Sequence, residues 1–424
     1  MLAIHLRGDR PLRVDPRRLA RASPDRPVPS PPPGRIRSGA LAEDPGTEGA
    51  LLKRTDRHIL AGLGILLGLL LAGCGGPSSS WPGIQVGDST LYVADIDRVL
   101  AVEAASGQER WRFPPQNGAA GPCQGVFHAT PAVADGVVVV AAENPGTGES
   151  RLCGLDRDAG ALRWTYPPAD QPPLGPVFAG LVTDGGRVFV GTGDGFVLAI
   201  HPATGQALWR TRLPEAGRGA PRIWATPVLS DTLLLVGTMD HRVLALDAAT
   251  GTLAWPAPFQ ARGAIAGALA LDGEALYVGA FDDHLYALDP ATGRERWRFK
   301  AGHWVWDGPA VAGDRLIVGD MSGQVFALDR EGRPVWPRPF QANGPVRARP
   351  LVVADRVYVA DEAGWLHLLN LADGAKLKSV NLAPGRLLTP LVAVADRVVV
   401  VPTGGPFRLV AYHSDLREAW KLAR

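Results

Sequence analysis

The chain has 424 residues, 46% hydrophobic and 20% charged, with a formal net charge of +2. This supports a large buried core and excludes the strongly basic balance of a nucleic-acid-binding chain. Length alone suggests two or three domains of ~100–200 residues. An internal repeat overrides that, because stacked units can form one large domain.

Residues 1–50 carry nine Arg and nine Pro, with Pro31-Pro32-Pro33 among them. They lack apolar periodicity and cannot bury enough surface to fold. They are expected either to be disordered or to precede the true translation start. Residues 51–73 have the parts of a secretory signal. A basic cluster, Lys53-Arg54-Thr55-Asp56-Arg57-His58, leads into an apolar run that ends at Leu71-Ala72-Gly73-Cys74. The run of 14 residues through Ala72 is shorter than the ~20 a membrane-spanning helix needs. Residues 74–80, Cys74-Gly75-Gly76-Pro77-Ser78-Ser79-Ser80, read as a flexible tether.

From residue 81 to 424 a four-strand unit recurs. In the fifth copy the expected strands are 266–271, 275–280, 284–289 and 294–300, joined by tight turns. Leu276 and Val278 fall on one face of the second strand, Tyr277 and Gly279 on the other. Each unit ends on a large aromatic: Trp111, Trp164, Trp209, Trp255, Trp297, Trp336 and Trp420, with Lys378 standing in the seventh. Their spacings are 53, 45, 46, 42, 39, 42 and 42 residues. Periods of ~40–50 with four strands per unit predict propeller blades. The chain therefore reads as an all-β, eight-bladed β-propeller of four-stranded antiparallel blades. The insertions 114–127 and 143–150 are expected as surface loops.

The best-kept motif is Ala-x-Asp-x-x-Thr-Gly-x-x-x-Trp, at 245–255 and 287–297. Its Asp accepts backbone N–H bonds and closes the turn, and its Gly takes a positive φ. Its Trp offers a large flat surface with one N–H to satisfy. One such side chain per blade is expected to dock neighbouring sheets.

Cys123 and Cys153 stand 30 residues apart. In an exported chain they could form a disulfide; separate buried thiols are the alternative. The acidic pairs Asp95/Asp97, Asp156/Asp158 and Asp282/Asp283 read as turn caps, since calcium needs several converging oxygens. Signatures of the form H-E-x-x-H, C-x-x-C or G-x-S-x-G do not occur.

A first strand in each blade lines the central channel. The residue three before the Pro of each Thr-Pro-like start is expected at the channel mouth. That ring is Ser79, His128, Phe178, Trp224, Ile265, Trp306, Arg347 and Leu387, with Asp307 and Arg349 beside it. His128, Trp224, Trp306, Asp307, Arg347 and Arg349 are the candidate binding residues, for an extended peptide, a planar ligand or a carboxylate. Rim residues that plug the funnel are the plainer alternative.

Two resemblances add to this reading. Leu71-Ala72-Gly73-Cys74 is similar to the lipobox of bacterial lipoproteins, which implies lipidation of Cys74 after cleavage before it. The motif at 245–255 and 287–297 resembles the tryptophan-docking motif of the quinoprotein-like (PQQ-type) propeller family, over about 81–424. It is degraded in the last two units, where Asn370 and His413 replace Asp. One branch of that family, the quinoprotein dehydrogenases, implies pyrroloquinoline quinone and calcium. The vicinal cysteines typical of its alcohol dehydrogenases and the large inserted loops are missing here. The other branch, the outer-membrane assembly lipoprotein BamB and its relatives, implies a non-catalytic scaffold without cofactor. The tether, length and blade count resemble the second branch. The expectation is an extracytoplasmic protein, lipid-anchored to the cell membrane or outer membrane, whose partners are membrane or other envelope proteins. A PQQ-dependent oxidoreductase and a small-molecule receptor using the funnel are the alternatives.

Overall fold

The computed structural model describes residues 82–424, apart from 117, 119, 120 and 218. The expectations placed on 1–50, on the signal 51–73, on Cys74 and on the tether therefore lie outside the described residues. Among the described residues are eight four-stranded sheets, each with its strands side by side in sequence order. The architecture is an eight-bladed, all-β propeller, and no helix there is long and apolar enough to cross a membrane.

Blade five shows how the sequence builds the unit. Its strands are Ala270–Leu271, Leu276–Gly279, His284–Leu288 and Glu295–Lys300. The innermost strand is shorter than expected, because Ala268 O already accepts the Gly308 N–H of the next blade at 2.9 Å. Strand alternation sends Leu276 and Val278 toward blade four and Tyr277 toward blade six. Eight such apolar clusters fill the eight gaps between neighbouring blades. Each fully buried Leu, Val or Phe there contributes roughly 1.5–3 kcal/mol.

The closing tryptophans cross the same gaps at the outer edge. Trp297 Nε1 donates to Arg330 O at 2.7 Å, and Trp255 Nε1 to Pro290 O at 3.2 Å. Each indole lies over the turn glycine of the next blade. A Cβ at Gly293 would come within 2.5 Å of Trp255, and one at Gly332 within 2.6 Å of Trp297. Both glycines also hold φ near +71° and +79°, so two separate demands exclude a side chain there. Trp111, Trp164, Trp209 and Trp336 repeat the contact, and Trp420 carries it back to Ala104 O of blade one.

The seventh boundary differs. Lys378 Nζ donates to Asp415 O and Leu416 O at 3.0 and 3.1 Å. With no indole overhead, the turn residue is Leu416 at φ +58°. The boundary that lacks the tryptophan thus also lacks the glycine, and the degraded units still close the ring.

Two expectations about strands and loops need correcting. The outermost strands of blades four and six shrink to Phe259–Gln260 and Phe340–Gln341. Pro256 and Pro258 in one, and Pro337 and Pro339 in the other, supply no N–H to the ladder. Of the two insertions, 143–150 is the expected surface loop, with 144–149 exposed or half-buried between the strands Val137–Glu143 and Ser150–Asp156. Segment 114–127 ends in the core, with Cys123 and Phe127 fully buried.

Candidate functional site

In an up-and-down sheet, the second-to-third turns and the blade-to-blade connections share one face of the disc. The docking turns lie on the opposite face. The channel mouth belongs to the first face, where each innermost strand begins. In every blade from two onward a fully or nearly fully buried apolar residue precedes the mouth position: Phe127, Val177, Ile223, Ile265, Val305, Val346 and Leu387. The next residue faces the channel. Ile265 and Leu387, expected at the mouth, therefore sit in the core, and Ala266 and Leu388 take their places. Blade five has no Pro to mark its start, and blade eight is one residue shorter there. Ser79 lies outside the described residues.

The mouth brings together His128, Phe178, Trp224, Trp306, Asp307 and Arg347 around a cavity of about 90 Å³. Two aromatic arcs border it. On one side His128 stacks on Phe178 at 6.0 Å, and Phe178 meets Trp224 edge-on at 5.3 Å. On the other side Trp306 contacts Phe281 at 4.9 Å, and Phe281 stacks parallel on Trp304 at 4.8 Å. The Arg347 guanidinium lies 3.7 Å above the Trp306 ring. Burial among these rings pushes the Arg347 pKa down to about 10. His128 Nε2 pairs with Glu143 Oε2 at 3.0 Å, which fixes the imidazole, while its buried Nδ1 has no protein partner.

Arg349 does not join the mouth. It reaches deeper, donating to Ala268 O and Leu269 O at 2.9 Å and to Gly308 O at 3.1 Å, and pairing with Asp307 Oδ1 at 3.1 Å. One guanidinium thereby ties blades five, six and seven together. Burial raises the pKa of Asp307, and Arg349 only partly offsets it. Trp304 and Phe281 were not among the sequence candidates. They precede the mouth position or lie on a second-to-third turn, places the Thr-Pro rule does not reach.

The remaining candidates are structural neighbours of other elements. Cys123 and Cys153 form a disulfide that ties segment 114–127 to the third strand of blade two. Asp95 and Asp97 meet Arg408. Asp156 accepts N–H bonds from Asp158 and Ala159, and Asp282 from Arg262 and Gly263. Among the described residues no group of three or more His, Cys, Asp or Glu is placed to hold a metal. A cavity of about 90 Å³ is also well below the ~300–1,000 Å³ of ordinary ligand pockets. The residues present do not fit a tricyclic quinone with calcium.

The family model described as outer membrane protein assembly factor BamB matches residues 72–230, 171–298, 222–342 and 282–414, the overlaps being those of a repeat. The outer membrane protein assembly factor BamB of Shewanella oneidensis is 27% identical over 297 residues, 68% of this chain and 71% of that protein. The crystal structure of BamB from Moraxella catarrhalis is similar with a TM-score of 0.60 at 22% identity, covering 78% of this chain and 93% of that one. The quinoprotein ethanol dehydrogenase of Pseudomonas aeruginosa is 33% identical over 103 residues, which is 23% of this chain and 16% of the enzyme. That stretch is a few blades of shared repeat. Matched along its propeller from residue 72 to residue 414, this chain belongs to the family of the outer membrane protein assembly factor BamB.

Proposed function

We propose that this propeller is a lipid-anchored scaffold outside the cytoplasm that binds envelope proteins and assists assembly of outer-membrane β-barrel proteins. The observation that carries the reading is the family match over residues 72–414, against matches to quinoprotein dehydrogenases limited to 16–20% of those enzymes. The mouth supports it, because the cavity that His128, Phe178, Trp224 and Trp306 help to line has room for little more than a few waters. The Cys123–Cys153 disulfide fits an oxidising compartment. Lipid on Cys74 would hold the disc at a membrane surface through residues 75–80.

Cross-linking in membranes, followed by identification of the captured proteins, tests the scaffold. Capture of envelope proteins is expected, and recovery of no membrane protein would sink the reading. Intact-mass measurement of the mature chain tests the anchor, with an unlipidated N-terminus removing it. Addition of pyrroloquinoline quinone and calcium should give no dye-linked oxidation of alcohols or sugars.

A further inference from the structure

Trp304 is the one exposed large aromatic among the described residues, at 42% exposure. The other exposed large apolar residues, Leu208, Leu253, Val335 and Leu377, all lie beside the docking positions on the outer edge. Trp304 instead sits on the mouth face, in the connection from blade five to blade six. Packing does not require it there, since the adjacent Val305 fills the core. The places matching it in neighbouring blades hold Arg222, Ala264 and Pro345, each giving its carbonyl to the next blade's turn as Trp304 does to Met321 N.

The loop that carries it is rigid. Met321 N donates to Trp304 O at 3.0 Å, Gly302 N to Asp320 Oδ2 at 3.0 Å, and Val305 N to Ala280 O at 3.2 Å. From this fixed point a ladder runs inward: Trp304 on Phe281 at 4.8 Å, Phe281 on Trp306 at 4.9 Å, and Arg347 on Trp306 at 3.7 Å. The ladder is apolar and aromatic at its outer end and cationic at the mouth. The guanidinium fork that rests on the Trp306 indole is the geometry that recognises a carboxylate. The ladder spans roughly four residues of extended chain at ~3.3 Å per residue.

We infer that the Trp304–Phe281–Trp306–Arg347 ladder is a docking site for an extended segment of a partner protein, one that carries an aromatic side chain and, four residues along on the same face, an Asp or Glu carboxylate. The aromatic side chain packs on Trp304 and the carboxylate meets Arg347. This deepens the scaffold reading and rests on it for the class of partner. Preorganisation favours the assignment, because a rigid ladder loses little entropy on binding.

The test uses the mature protein and octapeptides blocked at both ends, so that only side-chain carboxylates are present. A peptide with Phe near one end and Glu four residues on, separated by Ser and Ala, is compared with versions carrying Gln for the Glu or Ala for the Phe, and with a chito-hexasaccharide, by calorimetry and tryptophan fluorescence. Saturable binding of the parent peptide is expected, weakened about tenfold or more by either peptide change and by Trp304→Ala, as for a central aromatic anchor. Trp304→Phe should retain most of it. Trp304 is on the surface, so its replacement leaves the fold intact, and near-ultraviolet circular dichroism verifies this. Equal binding of all peptides, binding of the saccharide alone, or no saturable binding would overturn the inference. The membrane cross-link separates the two readings. If the wild type and Trp304→Ala capture the same partners equally, the scaffold stands and this site falls. If the peptide binds but no membrane protein is captured, the site stands and the scaffold falls.

Discussion

At the scale of single residues, the seventh blade boundary explains the motif best. Elsewhere an indole demands a glycine beneath it, and here Lys378 releases that demand and Leu416 fills the space. Lys378→Trp alone should clash with Leu416 and destabilise the protein by about 1–3 kcal/mol. Adding Leu416→Gly should restore at least about 1 kcal/mol beyond the sum of the single changes, a coupling that denaturant titration can measure. The turn aspartates make a second residue-scale case. A side-chain hydrogen bond from Arg296 lowers the pKa of Asp289, and one from Thr250 lowers that of Asp247. A carboxyl with a depressed folded pKa adds stability above its unfolded value of ~3.9, and that stability is lost as pH falls through the folded value. The denaturation midpoint should therefore hold steady from neutral pH to about pH 5 and fall below about pH 4, with a shallower acid limb in Asp289→Asn.

At the scale of elements, the disulfide governs segment 114–127. It links residues 30 apart, and cross-linking a loop of that length contributes about 3.5 kcal/mol by the chain-entropy model. Cys153→Ser should lower stability by an amount of that order and expose the segment to limited proteolysis, while the far-ultraviolet spectrum of the blades persists. Mass analysis of the fragments should place the first cuts within 114–122. The element scale also shows where sequence reading succeeds. Strand and turn order were legible because each hairpin is local and repeats. The shortened outer strands were legible too, in Pro256, Pro258, Pro337 and Pro339, once proline is counted as a missing donor. The partner of segment 114–127 was legible only as one of two readings, a Cys123–Cys153 bridge or separate thiols, since Cys123 reaches a strand of the following hairpin.

At the scale of the molecule, the ring closes without exchanging a strand, since the first and last sheets are each built from consecutive strands. Closure rests on a seam. Leu91, Val93 and Leu100 pack against Val399, Val401 and Leu409, and Thr389 Oγ1 donates to Pro82 O at 2.7 Å. At that seam the fully buried Asp95 pairs with Arg408, and with Arg424 at 3.2 Å. Removing one member of a buried pair strands the other, at a cost of about 3–5 kcal/mol. Asp95→Ala should destabilise the protein by that order and speed hydrogen exchange first in blades one and eight. Small-angle scattering near the midpoint should show the ring opening there; uniform exchange across all blades would contradict a localised seam.

The sequence by itself determined the fold class and the number of blades, because each depends on a period repeated along the chain. It also offered His128, Trp224, Trp306, Asp307, Arg347 and Arg349 for the mouth, all but Arg349 lining it, since position within a repeat predicts position around a ring. Only the tertiary structure moved the mouth by one residue at Ala266 and Leu388, sent Arg349 into a three-blade brace, and joined Trp304 to Phe281 and Arg347. Those outcomes depend on which side chains from different blades meet across a gap. Periodicity places a residue on its own blade, but packing between blades decides what it touches.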